Sequence, residues 1–229
     1  MAQGFFKHIP NINYDFKSDG KFYQAKDLFR KVSVWSYLQE GISGYSYYRI
    51  IDGERPDVTA SRLYRDSTLY WTFFLVNENL QDMNDWPKSQ QVMHRFLNRK
   101  YSGTVLNASN TTDIVSFNHS TNVSSKFVLG EKVTQSTSGA YGFVTKVEPT
   151  HNRIILNSVI GTFDTSPVIG SSSEKTFTPS SVITEKDAVH HYTDSNDLPT
   201  TVSTNNTAIS NEKYERDLNE DKHLIRYIE

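Results

Sequence analysis

The sequence predicts an α+β fold: an α-rich module, a small antiparallel β-barrel or sandwich inserted into it, and a C-terminal helical arm. Three observations predict it. Composition changes sharply near residue 102, because all three tryptophans (Trp35, Trp71, Trp86) and all three methionines precede it, whereas residues 103–183 hold 26 Ser and Thr in 81 positions. Apolar residues recur at helical spacing before that point and in short β-prone runs after it. Residues 210–228 then regain helical spacing on a charged background. The expected division is 1–102, an N-terminal segment with the helical module; 103–184, a β-rich insertion; and 185–229, an extended arm ending in a helix.

Residues 25–40 read as helical pieces or a helix–strand mixture, with Leu28, Val32 and Trp35 at helical spacing. The run from Tyr47 to Ile51 is aromatic and β-branched and stops at Asp52-Gly53, which predicts a short strand leaving through a turn. Pro56 suits the first turn of a helix reaching Tyr64. Asp66 or Ser67 caps a second helix, Leu69 to Asn77, in which Tyr70, Phe73, Phe74 and Asn77 recur at i, i+3, i+4 and i+7. Trp71 and Leu75 are apolar as well, so this helix needs cover on nearly every side, from its own domain or from a partner. A third helix is expected from Ser89 to Tyr101, with Val92, Met93, Phe96 and Leu97 on one face and Arg95, Arg99 and Lys100 near its C-terminus, where cations suit the dipole.

From 125 to 183, β-prone runs alternate with turn signals: Lys126 to Leu129, Lys132 to Thr134, Tyr141 to Val147 and Arg153 to Leu156, separated by Gly130-Glu131, Ser138-Gly139 and polar links. A faint internal echo relates the stretches beginning at Phe127 and Phe163. After residue 184 the chain is polar and loop-like until Ser210, a cap for a helix that places Tyr214 and Leu218 on a thin apolar seam. Such a seam points to a helix docked along something else.

Bulk chemistry excludes several functions. With 24 Lys and Arg interspersed among 26 Asp and Glu there is no basic stripe to displace counterions, so nucleic acid is not an expected partner. Without cysteine there is no disulfide, thiolate metal site or Cys nucleophile. The N-terminus lacks a signal-peptide pattern and no stretch reaches bilayer-spanning length, so synthesis in the host cytoplasm and no membrane contact are expected. The sequons at Asn107, Asn110, Asn118, Asn122 and Asn205 then follow from a Ser/Thr/Asn-rich composition. His190-His191 lacks a third ligand at metal spacing, and neighbouring side chains of an extended strand face opposite ways. No catalytic triad order or phosphate-cradling loop is present, so the chain is read as a non-enzyme with no catalytic, metal or cofactor residues.

The stretch Tyr48 to Leu80 resembles the LysM-like core of a baseplate wedge protein of T-even-type contractile-tailed phages. The resemblance rests on Gly53-x-Arg55-Pro56, Leu63-Tyr64, Leu69-Tyr70-Trp71, Asn77-x-Asn79 and Asp85-Trp86-Pro87, with flanks at Lys26 to Arg30 and Tyr214 to Glu220. It covers about residues 20–101 and 185–229. Residues 103–183 depart from that pattern and are similar to small β modules of phage tail and neck proteins, through Gly130 to Thr134 and Ser138 to Gly142.

The resemblance implies a structural protein of the virion tail baseplate that joins neighbouring wedges and supports closure of the six-fold ring around the hub. Its implied partners are the helical wedge core, neighbouring wedges, and hub and sheath-proximal proteins, at six copies per baseplate. The alternative is a LysM-type module binding peptidoglycan or chitin; a tail lysozyme lacks an identifiable acid and nucleophile. Candidate partner-binding residues are Arg55, Trp86, Tyr214 and Leu218. Arg55 either bridges to a partner carboxylate or orients the strand-to-helix turn, and Trp86 either packs locally or anchors a partner.

Overall fold

A computed structural model describes residues 9–27, 44–108, 122–200 and 206–228. Most of the stretch read as helical pieces, the flank at Leu28 to Arg30, and Asn110, Asn118 and Asn205 lie outside these residues. The chain divides into two compact units, residues 1–92 with 218–229, and residues 93–217. The units divide inside two helices.

The first unit begins with a hairpin absent from the expected elements. Strands β1 (Asn11–Tyr14) and β2 (Tyr23–Lys26) pair antiparallel, Asn11 opposite Lys26 and Tyr14 opposite Tyr23. The Asp15 carboxylate holds the connecting loop by accepting the N–H groups of Lys17, Asp19 and Gly20 at 3.1, 3.2 and 2.8 Å.

Strand β3 (Tyr45–Arg49) starts two residues before the expected strand. Pro56 opens helix α1 (Pro56–Tyr64), and Arg65, left-handed at φ 58°, ends it. Asp66 caps a 3₁₀ turn, Ser67–Leu69, accepting from Thr68 N–H at 2.8 Å. Helix α2 (Trp71–Val76) then follows, shorter than expected because Asn77 is already extended.

The partner of β3 is the end of the chain. Strand β14 (Leu224–Ile228) runs antiparallel to it, Ile225 opposite Tyr48 and Arg226 opposite Tyr47. The expected C-terminal helix thus ends at Asp221, and the following residues complete a sheet. Ile225 and Phe73 are fully buried, with Ile50, Ala60, Leu80 and Trp86 around them and Tyr48, Leu63, Tyr64, Phe74 and Tyr227 at the margin. Burying each such large apolar side chain is worth about 1.5–3 kcal/mol. Buried Asn77 clasps the final strand: its Nδ2 donates to Arg226 O (2.9 Å) and Phe73 O (2.9 Å), and its Oδ1 accepts from Arg226 N–H (2.8 Å).

Helix α3 (Gln90–Lys100) begins in the first unit, where Asp52 Oδ1 accepts Gln90 N–H at 2.9 Å, and ends in the second. Met93 and Leu97 are buried as its periodicity predicts, whereas Val92 is exposed.

The second unit carries the β-rich stretch. Seven strands form one antiparallel sheet in the order β10-β4-β7-β6-β5-β8-β9. They are β4 (Thr104–Asn107), β5 (Lys132–Gln135), β6 (Tyr141–Glu148), β7 (Arg153–Ile160), β8 (Val168–Gly170), β9 (Thr176–Phe177) and β10 (Ser181–Thr184). The two edge strands β9 and β10 are consecutive in the chain, so the sheet curls to bring its edge strands toward each other without pairing them. Inside lie Leu106, Val133, Val144, Ile154, Leu156, Phe163 and Val168.

Two polar keystones hold the strand ends. Buried Glu131 accepts the N–H groups of Val128 (3.0 Å), Ser172 (2.9 Å) and Ser173 (2.6 Å), stitching two turns together, and a Cβ on Gly170 would collide with its carboxylate. Gln135 uses both ends of its amide, donating to Asp164 O and Ser166 O and accepting from Asp164 N–H and Ser138 Oγ. This corrects one expected strand: Lys126 to Leu129 forms a turn, because Glu131 bends the chain there and leaves Val128 and Leu129 exposed. The faint echo has a structural counterpart, since β5 and β8 are neighbours and Phe127 and Phe163 are both buried.

The stretch expected to be loop-like holds a three-stranded sheet of β11 (Val189–Thr193), β12 (Pro199–Thr200) and β13 (Thr207–Ser210), with β11 central. Helix α4 (Asn211–Asp221) follows, and Ser210 Oγ accepts Lys213 N–H at 3.2 Å, as the capping pattern predicts.

Stability measurements test this arrangement at two points. Ile225→Ala should destabilise the first unit by about 2–5 kcal/mol, read by denaturant titration with hydrogen exchange on residues 45–80; an unchanged midpoint and exchange pattern would mean that β14 does not close the core. Glu131→Ala removes the acceptor of three part-buried N–H groups and should lower the thermal midpoint of the second unit, by at most about 1–3 kcal/mol for each group left without a partner. Exchange should rise first at residues 128 and 171–173.

Candidate functional site

The turn that leads into α1 is built on buried charge. The Glu54 side chain is 4 % exposed; Oε2 accepts from Tyr48 OH (2.9 Å) and Ile51 N–H (3.2 Å), and Oε1 faces Arg62 Nη1 at 3.2 Å. Arg62 Nη1 also donates to Tyr48 OH at 2.6 Å. Burial, then the bond to Glu54, push the Tyr48 phenol above its ordinary pKa. Glu54 and Arg62 thus do the turn-orienting work considered for Arg55. Arg55 sits at the N-cap in extended conformation with its side chain 77 % exposed and Asp57 beside it at 3.1 Å. Its guanidinium faces solvent.

Trp86 is placed in the core. It is 8 % exposed, packs against Phe73 and Phe74 at ring separations of 5.9 and 6.0 Å, and donates its indole N–H to Glu54 O at 2.7 Å. Of the two uses open to Trp86, the structure places it in local packing. Its flanks are tied to the C-terminal residues of the same unit. Asp85 accepts from Lys222 Nζ at 2.9 Å, Lys88 N–H donates to Asn219 Oδ1 at 2.8 Å, and Asn219 Nδ2 donates to Lys88 O at 3.0 Å. The Lys222 ammonium holds the Asp85 carboxyl below the usual carboxylate range.

Exposed aromatic surface lies elsewhere. Tyr14, Phe16, Phe22 and Tyr23 stand on the β1–β2 hairpin, with Phe16 63 % and Phe22 69 % exposed, and Phe16 touches Tyr14 and Tyr23 at ring separations of 5.0 and 6.4 Å. Among the described residues no other strand joins that hairpin. Paired aromatics on either side of Asp19-Gly20 are the signal that marks this hairpin in the sequence. A second apolar face is the outer side of β3–β14, carrying Tyr47, Leu224 and Ile228.

In the second unit, Tyr214 is half-buried and stacks on His190 at 3.9 Å and 12°. A bulge between Val189 and His191 corrects the expectation that the two histidines face opposite ways: their Nδ1 atoms are 2.9 Å apart, and both rings contact Tyr214. Next to Tyr214 on α4, Glu215 accepts from Lys100 Nζ (2.5 Å) and Tyr101 OH (2.8 Å). Burial and that bond drive the Tyr101 phenol upward. Arg153 is buried against Glu148 (2.5 Å) and donates to Val189 O at 2.9 Å. Burial works against the Glu148 charge, yet Lys146 and Arg153 bring its carboxyl below the ordinary range. Leu218, on the part of α4 that belongs to the first unit, remains 41 % exposed. No group of three or more His, Asp or Glu is placed to hold a metal ion among the described residues. No helix there is long and apolar enough to cross a membrane.

Residues 1–112 match the family model described as base plate wedge protein 53. No curated protein matches the chain.

The histidine environment sets a pH dependence. Burial and the neighbouring His191 hold the His190 imidazole below the usual histidine range, and burial and Arg153 do the same for His151. The folded unit takes up these protons only at lower pH than the unfolded chain, which does so as pH falls below about 6.5. Stability of the second unit should therefore fall from pH 7 toward pH 5 and level off below the depressed values. Calorimetry across that range should show the slope, and His190→Asn should flatten it; a midpoint that rises on acidification would refute the assignment.

Proposed function

We propose that the chain, whose residues 1–112 match that family model, is a structural baseplate wedge protein of a phage tail that joins neighbouring wedges and supports closure of the six-fold ring around the central hub. Its partners on this reading are the helical wedge core, the adjacent wedges, and hub and sheath-proximal proteins, at six copies per baseplate, one for each wedge joint.

The observation that carries the proposal is the hairpin of four exposed aromatics. A two-stranded ribbon is marginal in water by itself, and contiguous exposed aromatics mark surface meant for another protein. Arg55 and Leu218 are the candidate contacts that remain exposed, and Tyr214 reaches the surface in part.

A LysM-like reading of the first unit draws support from its spatial arrangement, since β3, α1 and α2 pack around Phe73 with β14, a strand that returns to them only after residues 77–223. Glycan binding by such modules uses backbone groups in a shallow groove between the two loops. Here the carbonyl of Glu54 is taken by Trp86 and the Asp52 carboxylate by Gln90, which weighs against the glycan alternative.

Mixing the protein with recombinant wedge proteins tests the proposal. Phe16→Ser with Phe22→Ser should weaken incorporation by about tenfold or more, aromatic anchors being worth about 2 kcal/mol or more each, with circular dichroism unchanged. Normal incorporation would remove the hairpin from the joint. Sedimentation with peptidoglycan or chitin should leave the protein in solution, and co-sedimentation would favour the glycan reading.

A further inference from the structure

We propose that His190 and His191 form a two-imidazole site for a transition-metal dication that takes nitrogen ligands at right angles, Cu(II) or Ni(II), with water in the remaining positions.

The backbone makes the pair. Neighbouring side chains of a regular strand point to opposite faces. Between Val189 and His191 the register of β11 against β13 shifts, Val189 standing opposite Ser210 and His191 opposite Ile209, so β11 carries one extra residue. A bulge of this kind re-aims side chains. It sets the two rings at 86° with centroids 5.2 Å apart and brings their Nδ1 atoms to 2.9 Å.

That separation suits a shared ion. Imidazole nitrogens bind a first-row dication at about 2.0–2.1 Å, so two such bonds at a right angle put the nitrogens about 2.9 Å apart. A tetrahedral angle would need about 3.3 Å. Square-planar and tetragonal geometries belong to Cu(II) and Ni(II), and the spacing therefore favours these ions over Zn(II).

The neighbouring carboxylates are already engaged. Glu215 and Glu148 both act on His190, but Glu215 is bonded to Lys100 and Tyr101, and Glu148 is paired with Lys146 and Arg153. No group of three or more His, Asp or Glu is placed to hold a metal among the described residues. Water is thus left to complete the shell, and two imidazoles without a carboxylate disfavour the oxygen-seeking Mg(II) and Ca(II).

The rings are braced in advance. Tyr214 on α4 stacks on His190 at 3.9 Å and meets the His191 ring edge-on at 5.7 Å and 84°. Supports of this kind orient metal ligands. Partial burial and the second ring favour the neutral His190 imidazole, which is the form that binds metal. Without the ion, one Nδ1–H donates to the other Nδ1. On binding, the donor ring passes to its Nε2–H tautomer, so both rings stay neutral and no net proton is released. The site is independent of the wedge reading.

Calorimetric titration of the untagged full chain with Cu(II) or Ni(II) should show one saturable equivalent, and Mg(II) should give none. His190→Asn and His191→Asn should each weaken that equivalent by about tenfold or more, while His94→Gln, exposed on α3, should leave it unchanged. Pulsed electron paramagnetic resonance of the Cu(II) form should show coupling to two imidazole nitrogens. Saturating ion should raise the thermal midpoint of the wild-type second unit more than that of either variant, because an ion that binds the folded state stabilises it. Absence of saturable binding, a Cu(II) signal without two imidazole nitrogens, or an equivalent that survives both substitutions would overturn the proposal.

Discussion

The first unit depends on one pairing, that of residues 45–49 with residues 224–228. Everything between them must be made before the sheet exists. Closing so long a loop is less costly than intuition suggests, because the entropy rises only with the logarithm of length, about 0.6 kcal/mol per doubling. The return is secured by Ile225, which fills the space against Phe73, and by Asn77, whose amide stands in for the missing third strand. The second unit has its own core, from Leu106 to Phe177, in a cluster separate from the one around Phe73.

Much of this order was legible in the sequence. Pro56, the spacing of Phe73 and Phe74, Ser210 as a cap, and the turn signals of the insertion all report local chemistry, and each falls at or near its element. Long-range chemistry was not legible. Leu224 to Ile228 alternates no more clearly than many helix ends, and only the open side of β3 explains why it is a strand. Glu131 reads as part of a turn motif, but that it bonds Ser172 and Ser173, 41 and 42 residues away, cannot be read from spacing. The bulge that brings His190 and His191 together depends on β13 beside them.

The candidate contacts divide for a related reason. Trp86, before Pro87, has the composition of an interface anchor, but its indole N–H finds Glu54 O and its ring finds Phe73, so the core claims it. Phe16 and Phe22 sit in a stretch without periodicity, yet they are aromatics left in water. Burial is decided by what the chain brings opposite a residue, and that is the part of the information local pattern lacks. Arg55 is the converse case: with Glu54 and Arg62 already fixing the turn, its exposed guanidinium has no local task beyond Asp57.

The wedge reading stands or falls with what covers the hairpin in the assembled tail, and a reconstruction of the intact baseplate measures that directly. The expected result is six copies, each at a joint between wedges, with Tyr14, Phe16, Phe22 and Tyr23 packed into a neighbouring subunit. Hairpins standing free in solvent while the protein occupies some other position would contradict it.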